Sequence, residues 1–113
     1  MYTLDTNPII YWLKNEEKAT PFLQGLFSAN ETIFISAITL AELLSQPNLS
    51  PTEQAQIISI SNTMTIIPVD NRLAIGAGML RGNYKIKLDD ALIATTALFT
   101  GSTLVTRNIK HFQ

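Results

Sequence analysis

The sequence contains no cysteine, few charged residues and no long apolar run. Without cysteine, both a disulfide framework and a thiolate metal site are excluded, and the composition suits a reducing cytoplasm. The longest mostly apolar stretch, residues 33–44, is interrupted by three polar side chains and falls short of the roughly 18 residues that a membrane span needs. Hydrophobic residues make up 46% of the 113 and charged residues 15%. We therefore expect a cytoplasmic globular protein without membrane association, with one domain over residues 1–113.

The small net charge of −1 hides an uneven distribution along the chain. Residues 1–71 contain two basic and seven acidic side chains, which gives −5, whereas residues 72–113 contain six basic and two acidic side chains, which gives +4. Such a split can mark a half of the chain that faces a polyanion, and it can equally arise by chance in a short sequence. The charge distribution alone leaves nucleic-acid binding open.

Short apolar strands alternate with helical segments along the whole chain. Strands are predicted at residues 2–4, 32–35, 65–69 and 103–105, and Pro68 marks the end of the third strand or an edge of the sheet. Helices are predicted at residues 8–14, 18–29, 37–44, 51–61, 71–81 and 89–100. The helix start at residue 51 rests on a capping-box pattern with proline at the first helical position. Strands that alternate with helices favour an α/β fold with a parallel sheet.

Acidic residues lie at predicted strand ends and helix starts. Asp5 directly follows the first strand, Thr106 directly follows the last, and Asp89 and Asp90 open the helix that leads into the last strand. In open parallel sheets, ligands gather just beyond the carboxyl ends of the strands. Glu42 differs, because it lies inside an apolar helix.

Each of these acids also has a purely structural explanation. Asp5 can be a helix N-cap, and the pair Asp89 and Asp90 can simply complement the dipole of its helix. Glu42 can belong to the solvated face of an amphipathic helix. For His111, near the end of the chain, a surface or structural role is the default.

Carboxylates that lie close together repel one another, and a bound cation would remove that repulsion. At about 4 Å and an effective dielectric of about 20, one pair repels by on the order of 4 kcal/mol. Mg²⁺ and Mn²⁺ prefer oxygen ligands, and such an ion can supply hydroxide from water and stabilise charge on a phosphoryl oxygen. Lysine and arginine hold neighbouring phosphates. An acidic pocket flanked by basic residues therefore suits hydrolysis of a phosphodiester.

Four segments together resemble the motifs of PIN-domain proteins, specifically VapC-type toxins. In chain order they are LDTN at 4–7, ISAITLAEL at 35–43, KLDDALIA at 87–94 and LVTRNIKHF at 104–112. The resemblance implies a three-layer α/β sandwich with a central, mostly parallel sheet of four to five strands between helices. It also implies an endoribonuclease that depends on Mg²⁺ or Mn²⁺, homodimerisation, and inhibition by a cognate antitoxin whose tail enters the active site.

Site residues follow from the resemblance position by position. Asp5, Glu42 and Asp90 match the three acids that bind the metal and carry catalysis, and Asn108 falls where the family often has a fourth acid. Asp89 stands where the family often has proline, so it adds either a further metal ligand or only a partner for the helix dipole. Polar side chains that would support the metal or its waters are Thr6, Asn7, Thr39 and Thr106. The uneven charge distribution, and not the resemblance, gives the basic side chains expected to contact RNA, namely Arg81, Lys85, Lys87, Arg107 and Lys110.

Two other functions remain open at the level of sequence. Because Asn108 is neutral, a second metal would be held weakly, and the chain could be a PIN module that binds RNA or a partner without cleavage. A phosphotransfer domain also places an aspartate after a strand. The chain offers no clear lysine directly after the final strand to pair with a phosphoryl group, since Arg107 and Lys110 are poor substitutes.

Overall fold

The computed structural model describes residues 1–14 and 20–106, which form four strands and six helices. The strands are β1 Tyr2–Leu4, β2 Ile33–Ser36, β3 Thr65–Ile67 and β4 Thr103–Val105. The helices are α1 Thr6–Leu13, α2 Thr20–Ser28, α3 Ala37–Leu44, α4 Pro51–Ser61, α5 Asn71–Asn83 and α6 Leu88–Thr100. This arrangement confirms the predicted α/β fold. None of the described helices has the length and apolar content that crossing a bilayer requires.

The four strands form one parallel sheet in the order β3-β2-β1-β4. The chain runs outward from β1 through β2 to β3, and then returns to place β4 on the other side of β1. The order of strands therefore reverses between β1 and β4. In open parallel sheets, this reversal leaves a crevice at the carboxyl ends of the strands.

Apolar residues of the sheet and helices form two separate hydrophobic clusters. On one face, Leu4, Ile35 and Val105 pack with apolar residues of the first four helices, including Ile9 and Leu43. A second cluster joins α5 and α6, and α6 contacts β1, β2 and β4. The sheet thus holds α6, and with it the acids of its first turn, close to the ends of β1 and β4.

Close packing of α5 on α6 explains why α5 contains a glycine at its centre. A Cβ atom at Gly76 would come within 3.0 Å of the side chains of Phe99 and Thr95 in α6. The loss of helix propensity, about 1 kcal/mol relative to alanine, is therefore offset by close helix–helix contact. The helix runs unbroken to Asn83, two residues beyond the predicted end.

Near the strand ends, the predicted start of α1 was wrong, whereas Pro68 marks the end of a strand as predicted. Helix α1 begins at Thr6 and not at Pro8, because Asp5 itself is the N-cap and its side chain accepts a hydrogen bond from the Thr6 backbone N–H. Pro8 sits in the first turn, where its missing N–H costs nothing. Strand β3 ends at Ile67, before Pro68, since proline cannot donate to the ladder.

Candidate active site

A cleft of about 490 Å³ opens at the carboxyl ends of β1 and β4, where the order of strands reverses. Four carboxylates and one lysine face it, together with small polar and apolar side chains. The residues that line it are Asp5, Thr6, Asn7, Glu42, Ile86, Lys87, Asp89, Asp90, Ile93, Ala94, Leu104 and Thr106. The fold therefore brings Asp5, Glu42 and Asp90 to one cavity, although 37 and 48 residues separate them along the chain.

Asp5 is fixed in the cleft by its backbone and by its capping role. Its backbone N–H donates to the Val105 carbonyl oxygen at 2.9 Å, which ties it to the end of β4. Its Oδ1 atom accepts from the Thr6 backbone N–H at 2.7 Å. The structural and the chemical explanations of this residue are thus compatible, because a single carboxylate caps α1 and also lines the cleft.

Glu42 is held in the cleft by a hydrogen bond that links α3 to α1. The Thr6 hydroxyl donates to Glu42 Oε1 at 2.6 Å, and Thr6 itself is only 9% exposed. Glu42 is half-buried. It therefore faces the cleft and does not belong to a solvated face of its helix.

The pKa of Glu42 is shifted by burial and by two neighbouring acids. Burial raises the pKa of the Glu42 carboxyl above its usual value, and the Thr6 hydrogen bond partly opposes that rise. A hydrogen bond with Asp89, the charge of Asp89 and the charge of Asp5 raise the pKa further. A cation bound among these groups would favour the ionised forms and reverse the shift.

We expect Glu42→Gln to stabilise the metal-free protein near neutral pH. The folded-state pKa of Glu42 lies above its unfolded value, so stability is fully present below the unfolded pKa and falls as pH rises through the folded pKa. Glutamine removes that loss and can still accept from Thr6. Because Glu42 is only half-buried and solvent screens its charge, the gain should stay below about 1 kcal/mol. Urea denaturation in EDTA between about pH 4 and pH 7 measures it, and the gain should vanish at the acidic end.

Glu53 provides a control of opposite sign for this substitution. Hydrogen bonds from the backbone and side chain of Ser50 lower the pKa of the Glu53 carboxyl. Its contribution to stability is therefore present above the unfolded pKa and is lost as pH falls through the folded pKa. Glu53→Gln should destabilise the protein near neutral pH. Equal effects of the two substitutions would contradict the electrostatic account of Glu42.

Asp89 and Asp90 occupy the first turn of α6 and differ in their surroundings. Asp89 is half-buried, approaches Glu42, and accepts a hydrogen bond from the Asp90 backbone N–H at 2.9 Å. Asp90 lines the same cleft with an exposed side chain. Lys87 precedes them as the helix N-cap without a capping side chain.

The donor chemistry of the cleft fits a hard divalent cation, although the ligand group is not preformed. Across residues 1–14 and 20–106, no three aspartate, glutamate or histidine side chains are arranged closely enough to hold a metal ion. The acids nevertheless face one cavity, and all of their donor atoms are oxygens, which Mg²⁺ and Mn²⁺ prefer. The carboxylates would have to move closer together to bind an ion.

The other predicted site residues divide into four groups. Asn7, Thr106 and Lys87 line the cleft. Thr39 is fully buried instead, and its hydroxyl has no hydrogen-bond partner among the described residues. Arg81 and Lys85 line a neighbouring cavity. The remaining predictions lie outside the described residues, namely Arg107, Asn108, Lys110 and His111.

Sequence reasoning did not anticipate two features of the cleft. The hydrogen bond between Thr6 and Glu42 joins residues 36 positions apart, and no local pattern marks such a pair. The apolar wall formed by Ile86, Ile93 and Leu104 was also missed. Residue type could have suggested Asp89 as the acid close to Glu42, since two adjacent carboxylates open α6.

Comparisons with known proteins agree with the four motifs. Residues 2–113 match the family model of the PIN domain. Ribonuclease VapC2 of Rickettsia felis is 31% identical over 121 residues, which cover all of this chain and 90% of that protein. A toxin–antitoxin complex from Klebsiella pneumoniae contains a chain that superposes with a TM-score of 0.80 at 29% identity, covering 99% of this chain and 90% of that one. VapBC2 from Rickettsia felis, bound to a DNA fragment from its promoter, gives a TM-score of 0.77 at 32% identity, covering 98% and 90%. The matched sequence, the fold and the shared motifs together establish that this chain belongs to the PIN-domain family.

Proposed function

We propose that this protein is a metal-dependent endoribonuclease and the toxin of a toxin–antitoxin pair. The observation that carries the proposal is the convergence of Asp5, Glu42 and Asp90 on one cleft at the strand ends. Ribonuclease VapC2, a relative similar over the whole chain, supports RNA as the substrate. The reaction is hydrolysis of an RNA phosphodiester bond by water.

Asp5, Glu42 and Asp90 would hold Mg²⁺ or Mn²⁺, and Asp89 is placed to add a fourth carboxylate oxygen. A bound ion would lower the pKa of a water molecule and would stabilise negative charge on the phosphate. Thr6 holds Glu42 in the cleft through its hydroxyl, so the carboxylate does not have to be ordered when the substrate arrives.

The rest of the cleft suits the parts of RNA around the reacting phosphate. Lys87 lines the cleft together with the acids, and its ammonium group can attract a phosphate that the carboxylates alone would repel. The apolar wall of Ile86, Ile93 and Leu104 offers a dry surface against which a ribose or a base can pack.

The proposal includes an antitoxin protein, a homodimer and action in the cytoplasm, where RNA substrates are found. Two of the similar structures are toxin–antitoxin complexes or VapBC assemblies, which supports an antitoxin partner. Large apolar side chains on α5 and α6 are well exposed, with Ile75 at 65%, Met79 at 66% and Leu98 at 69%. Exposed apolar side chains of this kind support a contact with another protein surface.

A second candidate function is a PIN module that binds RNA or a partner without cutting. The observation in its favour is that no three acids among the described residues form a ready ligand group. Such a module would retain RNA in the cleft at any concentration of divalent metal and release it intact.

Incubation of the purified protein with single-stranded RNA tests the two candidates. We expect cleavage with Mn²⁺ or Mg²⁺, none in excess EDTA, and recovery when the metal is restored, because the acids need a cation before they can accept a phosphate. Gel analysis of the products measures cleavage. Cutting that survives EDTA contradicts the metal mechanism, and binding without cutting at every metal concentration supports the second candidate.

A further inference from the structure

A second cavity adjoins the cleft and contains two of the predicted RNA-binding residues. Its volume is about 490 Å³, and we name it the Arg81–Lys85 groove. It lies between the last turn of α5 and the start of α6, and it is lined by Gly78, Arg81, Gly82, Lys85, Ile86 and Leu88. Ile86 also lines the cleft, so the two cavities share a wall.

Neither Arg81 nor Lys85 forms an ion pair with another side chain in the described part of the chain. The one ion pair there joins the amino terminus to Glu31, far from Arg81 and Lys85 in sequence. Arg81 Nε donates to the Ile86 carbonyl oxygen at 3.2 Å, which fixes the guanidinium beside the shared wall. A guanidinium carries five N–H donors, so donors remain for an anion in the groove.

Two glycines of α5 line the groove. Gly78 and Gly82 are one turn apart on α5, and a Cβ atom built at either position meets nothing within 4 Å. Gly76, by contrast, is needed for contact with α6. The groove is therefore open beside Gly78 and Gly82, where no side chain fills it.

We propose that the Arg81–Lys85 groove binds backbone phosphates of the RNA strand next to the phosphate that reacts in the cleft. This inference rests on the proposed function. With a divalent cation bound, the four carboxylates would hold the reacting phosphate near them. They would still repel the phosphates on either side of it. Those phosphates need cations, and the groove supplies two directly across the shared wall. Because phosphate contacts carry no sequence information, the groove sets affinity and register and not base preference.

An acidic segment of a protein partner would satisfy the same cations. The continuity of the groove with the cleft favours RNA, since a nucleic-acid strand bound at the acids can extend past Ile86 into the groove. A peptide that binds only the groove has no such need. Binding of an acidic peptide is therefore an outcome of the test.

Gly82→Glu tests the proposal by adding a carboxylate to the lining of the groove that contains Arg81 and Lys85. The matched control is Gly25→Glu in α2, which also lies in the last turn of a helix and also has nothing within 4 Å of its Cβ position. Binding of a fluorescent single-stranded RNA is measured by anisotropy in an Asp5→Asn background, which prevents cleavage. Gly82→Glu should weaken binding roughly tenfold, and Gly25→Glu should leave it unchanged. Thermal melts establish that both variants fold.

The salt dependence of binding gives a second, independent readout. When Arg81 and Lys85 are both changed to alanine, the slope of log K against log salt should fall by about 1.4, at roughly 0.7 for each lost contact with a single-stranded phosphate. If Gly82→Glu binds RNA as Gly25→Glu does while the wild type still cleaves it, the groove is not a phosphate site and the proposed function stands. If the wild type neither binds nor cleaves RNA, both fail. If Gly82→Glu loses only an acidic probe peptide, such as oligoglutamate, the groove serves a protein partner and the proposal is overturned.

Discussion

Asp5→Asn should lower RNA cleavage by at least about 10²-fold while the protein stays folded. Asp5 lies where β1 and β4 end side by side, and its carboxylate lines the cleft next to Glu42. Asparagine removes the negative charge that a divalent cation needs, yet it caps a helix about as well as aspartate. The amide oxygen can still accept from the Thr6 backbone N–H, which Asp5 Oδ1 does now. Initial rates of cleavage at saturating Mn²⁺ measure the effect.

Asp70→Asn is the matched control for this experiment. Asp70 is also the N-cap of a helix, and its side chain accepts from the Leu73 backbone N–H at 2.9 Å. It does not line the cleft. Any loss of the helix-dipole interaction is therefore common to both variants, at about 0.3–1 kcal/mol. Full activity in Asp5→Asn, or equal losses in the two variants, contradicts a metal-binding role for Asp5.

Divalent metal should raise the melting temperature of the wild-type protein. Burial is the main cause of the raised pKa of Glu42, and the charges of Asp89 and Asp5 raise it further. A cation bound to the folded state would remove the repulsion among these acids. Binding to the folded state alone stabilises it by about 2.7 kcal/mol when the free metal is 100 times its Kd. Thermal denaturation in a series of Mn²⁺ concentrations, compared with EDTA, measures this shift.

The same variants decide where the ion acts. Asp5→Asn should lose most of the stabilisation by Mn²⁺, and Asp70→Asn should retain it, because only Asp5 faces the cleft. An identical shift in both variants places the ion elsewhere on the surface. No shift in the wild type at millimolar Mn²⁺ contradicts the cation-based account of the cleft.

Local sequence signals fixed several elements because each signal acts within a few residues. The capping box at the start of α4 forms as predicted, with the Ser50 hydroxyl accepting from the Glu53 backbone N–H and the Glu53 side chain accepting from Ser50. Gly101 ends α6 in the left-handed conformation, at φ +64°. By contrast, the predicted start of α1 at Pro8 was wrong, because Asp5 caps the helix and Pro8 lies within its first turn.

The site could be predicted only in part, because its decisive contacts are long-range. The strand-end position of Asp5 and the paired acids of α6 were visible as local patterns. The pairing of Thr6 with Glu42 depends on how α1 and α3 pack, which no short segment encodes. In the same way, sequence grouped Lys87 with Arg81 and Lys85, whereas the structure divides them between the cleft and the groove.

Anomalous X-ray diffraction from crystals grown with Mn²⁺ addresses the central claim most directly. The account predicts a peak inside the cleft, within coordination distance of oxygens from Asp5, Glu42 and Asp90, and loss of that peak in Asp5→Asn crystals. A peak away from these residues, or none at millimolar Mn²⁺, contradicts it.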